Sequence, residues 1–221
     1  GCGHLVHHNQ MSGRYCDDCE AEDTDDRIHD YCYKPVYNFL QTENDSAAYK
    51  LYFGFELEIE VAESIAEACD VVEDFPYLYM KSDSSINRGF EIVSHPGTLH
   101  YWHQEAGDLL QQLNLLGCDA EPQGLHIHIS KSLMREGHRI RFQSFFDANK
   151  ALMPQIARRS DCGYCKHKAL SRCDWKNAAN NPDRYQAVNW QNPRTVEVRM
   201  FRGTLKPDEF MASLEVCHAA H

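Results

Sequence analysis

The stretch FELEIE at residues 55–60 alternates apolar and ionisable side chains without a break. Successive side chains of a β-strand point to opposite faces of a sheet, so the apolar residues can line a core while the glutamates share the other face. Three further stretches repeat the pattern: GFEI at 89–92, LHIHIS at 125–130 and VEVRM at 196–200. The alternation predicts four strands of one sheet whose second face carries ionisable groups.

The ionisable face of these four strands is the candidate active site. We expect seven side chains on it: Glu56, Glu58, Glu91, His126, His128, Glu197 and Arg199. Like charges on adjacent strands cost stability, so a face this rich in carboxylates and imidazoles indicates bound cations. Oxygen-rich ligand sets suit Mg²⁺ or Mn²⁺ better than Zn²⁺. Three glutamates and a histidine can hold two such ions, and Arg199 can then clamp a phosphate by bidentate hydrogen bonding.

The bulk composition limits the class of protein. A chain of 221 residues with 43% hydrophobic content suits one good-sized domain with an appendage, or two modest domains. Its net charge of −11 argues against a nucleic-acid partner, because such proteins usually carry a basic patch. The sequence has no run of eighteen apolar residues and no signal peptide, so we expect no membrane contact and a cytoplasmic location.

The first segment carries a candidate structural zinc site. Three of its cysteines have the spacing of half a zinc ribbon: Cys2, Cys16 and Cys19. The fourth ligand stays open between a histidine and a cysteine upstream of the sequence, and the histidines available are His4, His7 and His8. A structural role is expected, since thiolate-rich zinc sites are usually closed.

A second group of sulfur and nitrogen ligands lies in the C-terminal half of the chain. Its members are Cys162, Cys165, His167 and Cys173. The spacing fits a further zinc site, and it equally fits a loop with incidental cysteines. The C-x-x-C pairs favour zinc over disulfides for both groups.

The periodicity of the chain predicts an α+β fold. Strands are expected at 51–61, 77–82, 89–94, 125–130, 185–190 and 195–201. Helices are expected at 63–74, 99–116 and 139–157 and from Pro207 onward. The order predicts a largely antiparallel sheet with helices packed on one side. We divide the chain into a zinc-binding segment (1–35), a linker (36–50) and a catalytic domain (51–221).

The order of the motifs resembles that of the amidoligase family, small carboxylate–amine ligases of phages and bacteria that are related to glutamine synthetase. The similarity covers about 51–221, and a lead-in, IHDYCYKP at 28–35, also matches except that Cys32 stands where the family has a serine. The matching stretches are YFGFELE at 52–58, KSDSSI at 81–86, GFEIVS at 89–94, GLHIHIS at 124–130, VNW at 188–190 and TVEVRMFRGT at 195–204.

The resemblance implies a glutamine-synthetase-like catalytic fold that binds ATP with Mg²⁺ or Mn²⁺. In that chemistry ATP phosphorylates a carboxylate, and an amine attacks the acyl phosphate to give an amide. The substrates would be a carboxylate and an amine, such as an amino acid, a peptide or a protein terminus, in a bacterial or phage-infected cell. The sequence departs from a typical nucleotide-binding pattern in that it has no glycine-rich phosphate loop.

The resemblance also implies roles for single residues. Glu58 and Glu91 would bind a first metal ion. The ligands of a second ion would be Glu56, His126 and Glu197. His126 is preferred over His128 because it directly follows the Gly-Leu pair at 124–125, and His128 would face nucleotide or substrate.

Three further residues receive roles in this comparison. Arg199 would clamp the transferring phosphoryl group. Asp83 would take the proton of the attacking amine, or it is a turn residue of its serine-rich loop. Arg202 would bind the substrate carboxylate or acyl phosphate, or it pairs with a surface acid.

Two other classes of function compete with the ligase. One is a metallohydrolase in which His126 and His128 bind zinc with Glu56 or Glu91 and activate water. The other is a binding adaptor that carries zinc and has no catalysis, for which the glutamates could be neutralised without loss of function.

Overall fold

The computed structural model of the protein describes residues 11–12, 15–16, 25–46, 50–160, 163, 165–167 and 184–221. Several predicted zinc ligands lie outside these ranges: Cys2, His4, His7, His8, Cys19, Cys162 and Cys173. Of Cys16 only the backbone is described. The two zinc sites therefore stay predictions.

A mixed sheet of eight strands forms the centre of the fold. Two short strands, β1 (Met11–Ser12) and β2 (Tyr15–Cys16), pair only with each other in the described part of the chain. The sheet strands are β3 (Ile28–His29), β4 (Tyr52–Glu60), β5 (Leu78–Lys81), β6 (Gly89–Ser94), β7 (Gly97–Thr98), β8 (Gly124–Ser130), β9 (Val188–Asn189) and β10 (Thr195–Arg202). Their order is β3-β5-β6-β4-β8-β10-β9, and β7 pairs with β4.

The predicted antiparallel character of the sheet is confirmed. Every pairing between its named strands is antiparallel except that of β3 with β5. Strand β3 lies within the segment 1–35 that we assigned to zinc binding, and Ile28 pairs with Met80. Leu40, from the predicted linker, bridges to Gly97. The sheet thus begins before residue 51.

Five helices are present in the described ranges: α1 (Ile65–Glu73), α2 (Leu99–Leu115), α3 (Glu136–Ala148), α4 (Met153–Ile156) and α5 (Pro207–Ala220). The hydroxyl of Thr98 accepts a hydrogen bond from the amide of Tyr101 at 3.2 Å and so caps α2. None of these helices is both long and apolar enough to cross a lipid bilayer.

The single helix predicted at 139–157 is wrong, because two helices, α3 and α4, occupy this region. The side-chain amide of Asn149 donates to the carbonyl of Phe145 at 2.7 Å and thereby satisfies a carbonyl at the end of α3. Pro154 has no amide hydrogen and lies in the first turn of α4, where that hydrogen is not needed. Strand β9 is also shorter than the predicted 185–190.

The apolar face of the sheet packs against the helices. Phe55, from β4, lies with its ring 5.1 Å from Trp102 of α2 and 5.0 Å from Phe210 of α5. The indole nitrogen of Trp102 donates to the carbonyl of Phe53 at 3.0 Å. Strand β4 therefore runs through the middle of the core, and its odd-numbered residues are fixed there by burial.

A matched pair of leucines tests this arrangement. Leu57 is fully buried in β4, whereas Leu115 is 84% exposed at the end of α2. Leu57→Ala is expected to lower the free energy of unfolding by about 2–5 kcal/mol, because it removes buried methyl groups and leaves a cavity. Leu115→Ala should change it by less than about 0.5 kcal/mol. Equal effects in urea denaturation would contradict the assigned faces of β4.

Candidate functional site

Cross-strand register brings the predicted ionisable residues together in the centre of the sheet. Glu56 of β4 lies directly opposite His126 of β8. Glu58 lies directly opposite Glu91 of β6. Because like charges at opposite positions destabilise a sheet, the pair Glu58–Glu91 points to a ligand or to a proton that relieves the repulsion.

A first set of potential metal ligands consists of Glu56, His126 and Glu197, and their ligand atoms lie within 4.8 Å of one another. The Nδ1 atom of His126 is 3.3 Å from Oε2 of Glu56 and 3.7 Å from Oε1 of Glu197. This is the set that the resemblance implies for the second ion.

A second set consists of Glu58, Glu91 and His126, within the same 4.8 Å limit. The Nε2 atom of His126 is 3.9 Å from Oε1 of Glu58, so the two ring nitrogens of this histidine face different carboxylates. The sequence predicted Glu58 and Glu91 for one ion, and the structure adds His126 to them. The two sets therefore share one imidazole.

The environment of the second set fits a cation. Oε2 of Glu91 is buried and has no hydrogen-bond partner within the described ranges. The ammonium nitrogen of Lys81 lies 3.5 Å from it. The backbone amide of Gly124 donates to Oε2 of Glu58 at 2.9 Å and holds that carboxylate in place. A buried carboxylate oxygen without a partner is costly, and a metal ion would satisfy it.

Neighbouring side chains orient Glu197. The amide of Asn189, from β9, donates to Oε2 of Glu197 at 2.9 Å. The guanidinium of Arg199 donates to the other carboxylate oxygen. Since each oxygen has a hydrogen-bond donor, the carboxylate is fixed in orientation toward His126.

Burial and mutual charge shift the pKa values of three residues in the site. Burial, together with the charge of Glu56, raises the pKa of Glu91 to about 8, although Lys81 acts in the opposite direction. Burial also raises the pKa of Glu56, but the charge of His128 and the hydrogen bond from His126 outweigh it and hold this pKa well below 4.5. Burial lowers the pKa of His128, yet Glu56 raises it to about 9 overall.

A cavity of about 680 Å³ is lined by four of the five residues in the two ligand sets, namely Glu56, Glu58, Glu91 and His126. Beyond the predicted residues it is lined by side chains that sequence reasoning missed: Tyr31, Lys81, Arg159, Arg184 and Tyr185. Lys81 stands in the quoted KSDSSI motif and could have been singled out. Tyr31 also stands in the quoted lead-in at 28–35, and Tyr185 begins the predicted strand 185–190. Arg159 and Arg184 lie in segments without periodic patterning, so no local signal marks them.

The remaining predicted residues differ in their placement. Asp83 lines this cavity, and its Oδ1 also accepts hydrogen bonds from the amide and hydroxyl of Ser85 at 2.7 and 2.6 Å, so it makes the turn as well. Arg202 donates to the carbonyl of Glu121 at 2.7 Å and is not among the residues that line the cavity. Its guanidinium also lies 3.6 Å from Oε2 of Glu121, so Arg202 pairs with a surface acid in this structure.

A second cavity of about 990 Å³ lies beside the first. The two cavities share a wall formed by Tyr31, Glu56 and Lys81. His128 lines the second cavity, and its Nε2 atom lies 3.2 Å from Oε1 of Glu56. Glu56 thus contacts both spaces.

Of the second predicted zinc group, only Cys165 and His167 are described. Cys165 is buried, and its thiol donates to the carbonyl of Ser160 at 3.9 Å. Neither residue belongs to the metal-ligand sets found among the described residues.

The fold and the site define a mixed α/β protein with a candidate cation centre on one face of its sheet. No protein-family model matches the sequence, and no curated protein matches it. Fold alone does not identify an activity, so the function has to be argued from the site.

The raised pKa of Glu91 predicts a stability change in the metal-free protein. The pKa of Glu91 is about 8 in the folded protein, against a usual value of 4.5. The fold therefore favours the protonated carboxyl. The stability that goes with this protonated form is fully present below pH 4.5 and is lost as the pH rises through about 8. Glu91→Gln, measured in EDTA above pH 8, should increase the free energy of unfolding by an amount on the order of a few kcal/mol. Below pH 4.5 the two proteins should be nearly equal.

The exposed Glu43→Gln is the matched control for this charge change. An increase in stability in both variants would make it a general effect of net charge. A Glu91→Gln protein less stable than the wild type above pH 8 would contradict the assigned environment.

The two ligand sets predict a particular metal stoichiometry. Wild-type protein should bind two Mn²⁺ ions per chain in a titration followed by electron paramagnetic resonance. Glu197→Gln and His126→Asn should each weaken one site by about tenfold or more, because a neutral imidazole has a lone pair on one ring nitrogen and so joins one ion at a time. His103→Asn, on α2, is the control. Two sites of unchanged affinity in His126→Asn would contradict the assignment of His126 as a ligand.

Proposed function

We propose that this protein is an ATP-dependent carboxylate–amine ligase, which forms an amide or isopeptide bond through an acyl phosphate. The observation that carries the proposal is the pair of ligand sets sharing His126 beneath a cavity with cationic side chains. Phosphoryl transfer needs positioning and charge neutralisation more than covalent chemistry from the protein, and this site is built for both. The motif order described above supports the same class.

The donor set suits Mg²⁺ or Mn²⁺, because it is dominated by carboxylate oxygens. Glu58 and Glu91 would hold one ion, and Glu56, His126 and Glu197 the other, because a neutral imidazole has a lone pair on one ring nitrogen only. Bound ions supply positive charge to phosphoryl oxygens and fix the phosphates in orientation.

Arg199 has the chemistry to stabilise the transferring phosphoryl group. Its side chain is 14% exposed, lines the cavity and is tethered to Glu197 by one of its amino groups. The planar guanidinium has five N–H donors, so the tether leaves others for phosphoryl oxygens. In this proposal Glu197 both binds metal and aims Arg199.

The bond changes follow from this arrangement. A carboxylate oxygen attacks the γ-phosphorus of ATP and ADP leaves. The amine nitrogen then attacks the acyl carbon, and phosphate leaves with the carboxylate oxygen. The amine must lose a proton in this second step, and Asp83 would accept it, since its carboxylate lines the same cavity.

The two cavities support a reaction with two substrates. The first contains the cation centre and would receive the phosphates. The second has aromatic walls that include Tyr37 and Tyr79, and it reaches the same centre at Glu56. A carboxylate substrate in the second cavity would therefore approach the phosphates from the other side of Glu56.

The competing classes have less support in the described residues. The hydrolase requires His126 and His128 on one ion, but His128 belongs to neither ligand set. An adaptor without catalysis would have no use for the opposed pair Glu58–Glu91, which costs stability.

Calorimetric binding of ATP tests the proposal. Wild-type protein should bind ATP in the presence of Mg²⁺ and not in EDTA. Glu58→Gln should weaken binding by about tenfold or more, because it removes an ion ligand, and each tenfold corresponds to about 1.4 kcal/mol. Glu43→Gln should bind as the wild type does.

The same samples can then be screened for ADP release with mixtures of amino acids and amines. If folded wild-type protein holds two metal ions but binds no ATP, the proposed ligase function is ruled out. Metal-dependent hydrolysis of amide or ester substrates without nucleotide would establish the hydrolase instead.

A further inference from the structure

Arg159 lines the first cavity without an evident structural reason to be there. It is partly buried, and its guanidinium makes no hydrogen bond or ion pair within the described part of the chain. The other cavity arginines are engaged: Arg199 donates to Glu197, and Arg184 donates to the hydroxyls of Tyr31 and Tyr185, each at 3.0 Å. A partly buried guanidinium without a partner favours binding of an anion beside it.

Three groups converge on the space above Gly124. A Cβ atom built on this glycine would lie 3.0 Å from an amino group of Arg159, 3.1 Å from Nε2 of His126 and 3.4 Å from Oε2 of Glu58. The absence of a side chain at Gly124 therefore lets the Arg159 guanidinium approach two ligands of the second set. A phosphoryl oxygen bound to an ion held by Glu58 would lie within reach of this guanidinium.

The backbone before Arg159 is strained in a way that fixes its direction. Arg158 has a φ of 56°, and among the described residues it is the one non-glycine residue with a positive φ. Left-handed backbone at such a residue costs on the order of 1–3 kcal/mol and persists where the surroundings enforce it. The Arg158 guanidinium pairs with Glu209 of α5 and donates to the carbonyl of Arg202 at 3.3 Å, and the amide of Arg202 donates to the carbonyl of Ala157 at 2.9 Å.

The two consecutive arginines thus have different partners. Arg158 anchors the turn to α5 and β10, while Arg159 faces the cavity. Strained conformations of this kind cluster at ligand-binding sites, where they pre-organise a side chain. The anchored turn is a second observation that assigns Arg159 to the site.

Charge balance favours a further cation beside the phosphates. The four carboxylates of the two sets compensate two divalent ions, so the positive charge left for an incoming anion comes from basic side chains. Two of these, Lys81 and Arg199, contact Glu91 and Glu197. A triphosphate carries more negative charge than these two side chains balance, and Arg159 offers a guanidinium that no described carboxylate neutralises.

We infer that Arg159 is a phosphate-binding residue, which holds phosphoryl oxygens beside the ion of the Glu58–Glu91–His126 set. The inference rests on the proposed function, since it supplies that same site with a second guanidinium for the nucleotide phosphates. In this inference the left-handed turn at Arg158 directs the Arg159 guanidinium toward the phosphates.

Calorimetry with inorganic tripolyphosphate at saturating Mg²⁺ tests the inference, because this probe has no nucleoside. Arg159→Gln should weaken its binding by about 10- to 100-fold, the range for a lost charge-assisted hydrogen bond to an anion. The affinity of Arg159→Lys should lie between those of the wild type and Arg159→Gln, since lysine keeps the positive charge and loses the bidentate hydrogen bonding of the guanidinium. Arg141→Gln, an exposed arginine of α3, makes the same charge change and should bind as the wild type does.

Mn²⁺ stoichiometry is measured on each variant, and two ions in Arg159→Gln would show that the metal ligands are intact. Unchanged tripolyphosphate affinity in this variant, or no binding by metal-loaded wild type, would overturn the inference. ATP binding to wild type that is insensitive to Arg159→Gln would overturn it and leave the ligase standing. Binding of tripolyphosphate that depends on Arg159, in a protein that does not bind ATP, would support the inference and rule out the proposed ligase function.

Discussion

The register between β4 and β8 is the constraint on which the site depends. It sets Glu56 opposite His126 and, one residue away, Phe55 opposite Ile127. Because side chains alternate between faces, a slip of one residue would move the glutamates of β4 into the core and its aromatic residues into the cavity. Burial of Phe55 against Trp102 and Phe210 opposes that slip. The hydrophobic face thus fixes the geometry of the charged one.

This arrangement lowers stability and forms a candidate cation site. Glu58 and Glu91 lie opposite each other on adjacent strands. Burial raises the pKa of Glu91 to about 8, so the pair stays close together because one carboxyl holds a proton more tightly. Such pairs of interacting titratable groups cluster at functional sites. The apolar face, with its fully buried strand residues, supports a repulsive face that could not form a sheet alone. A bound cation would remove the repulsion without moving either strand.

Residues of regular strands could be predicted from the sequence, and those placed by irregular segments could not. Alternation in FELEIE and LHIHIS is a local property, so it identifies Glu56, Glu58 and His126 and the face they share. The break between α3 and α4 depends on the side chain of Asn149, which a periodic pattern does not register. Arg159 reaches the cavity through a left-handed turn fixed by contacts to α5 and β10, which are distant in sequence. Its place in the cavity therefore cannot be predicted before the tertiary structure is known.

The most direct test of the account is crystallographic. Crystals grown with Mn²⁺ and a non-hydrolysable ATP analogue would be measured at the manganese absorption edge. The account predicts two anomalous peaks, one beside Glu58 and Glu91 and one beside Glu56 and Glu197, with phosphate density between them and Arg159. Manganese absent from this face, or nucleotide bound elsewhere on the molecule, would contradict it.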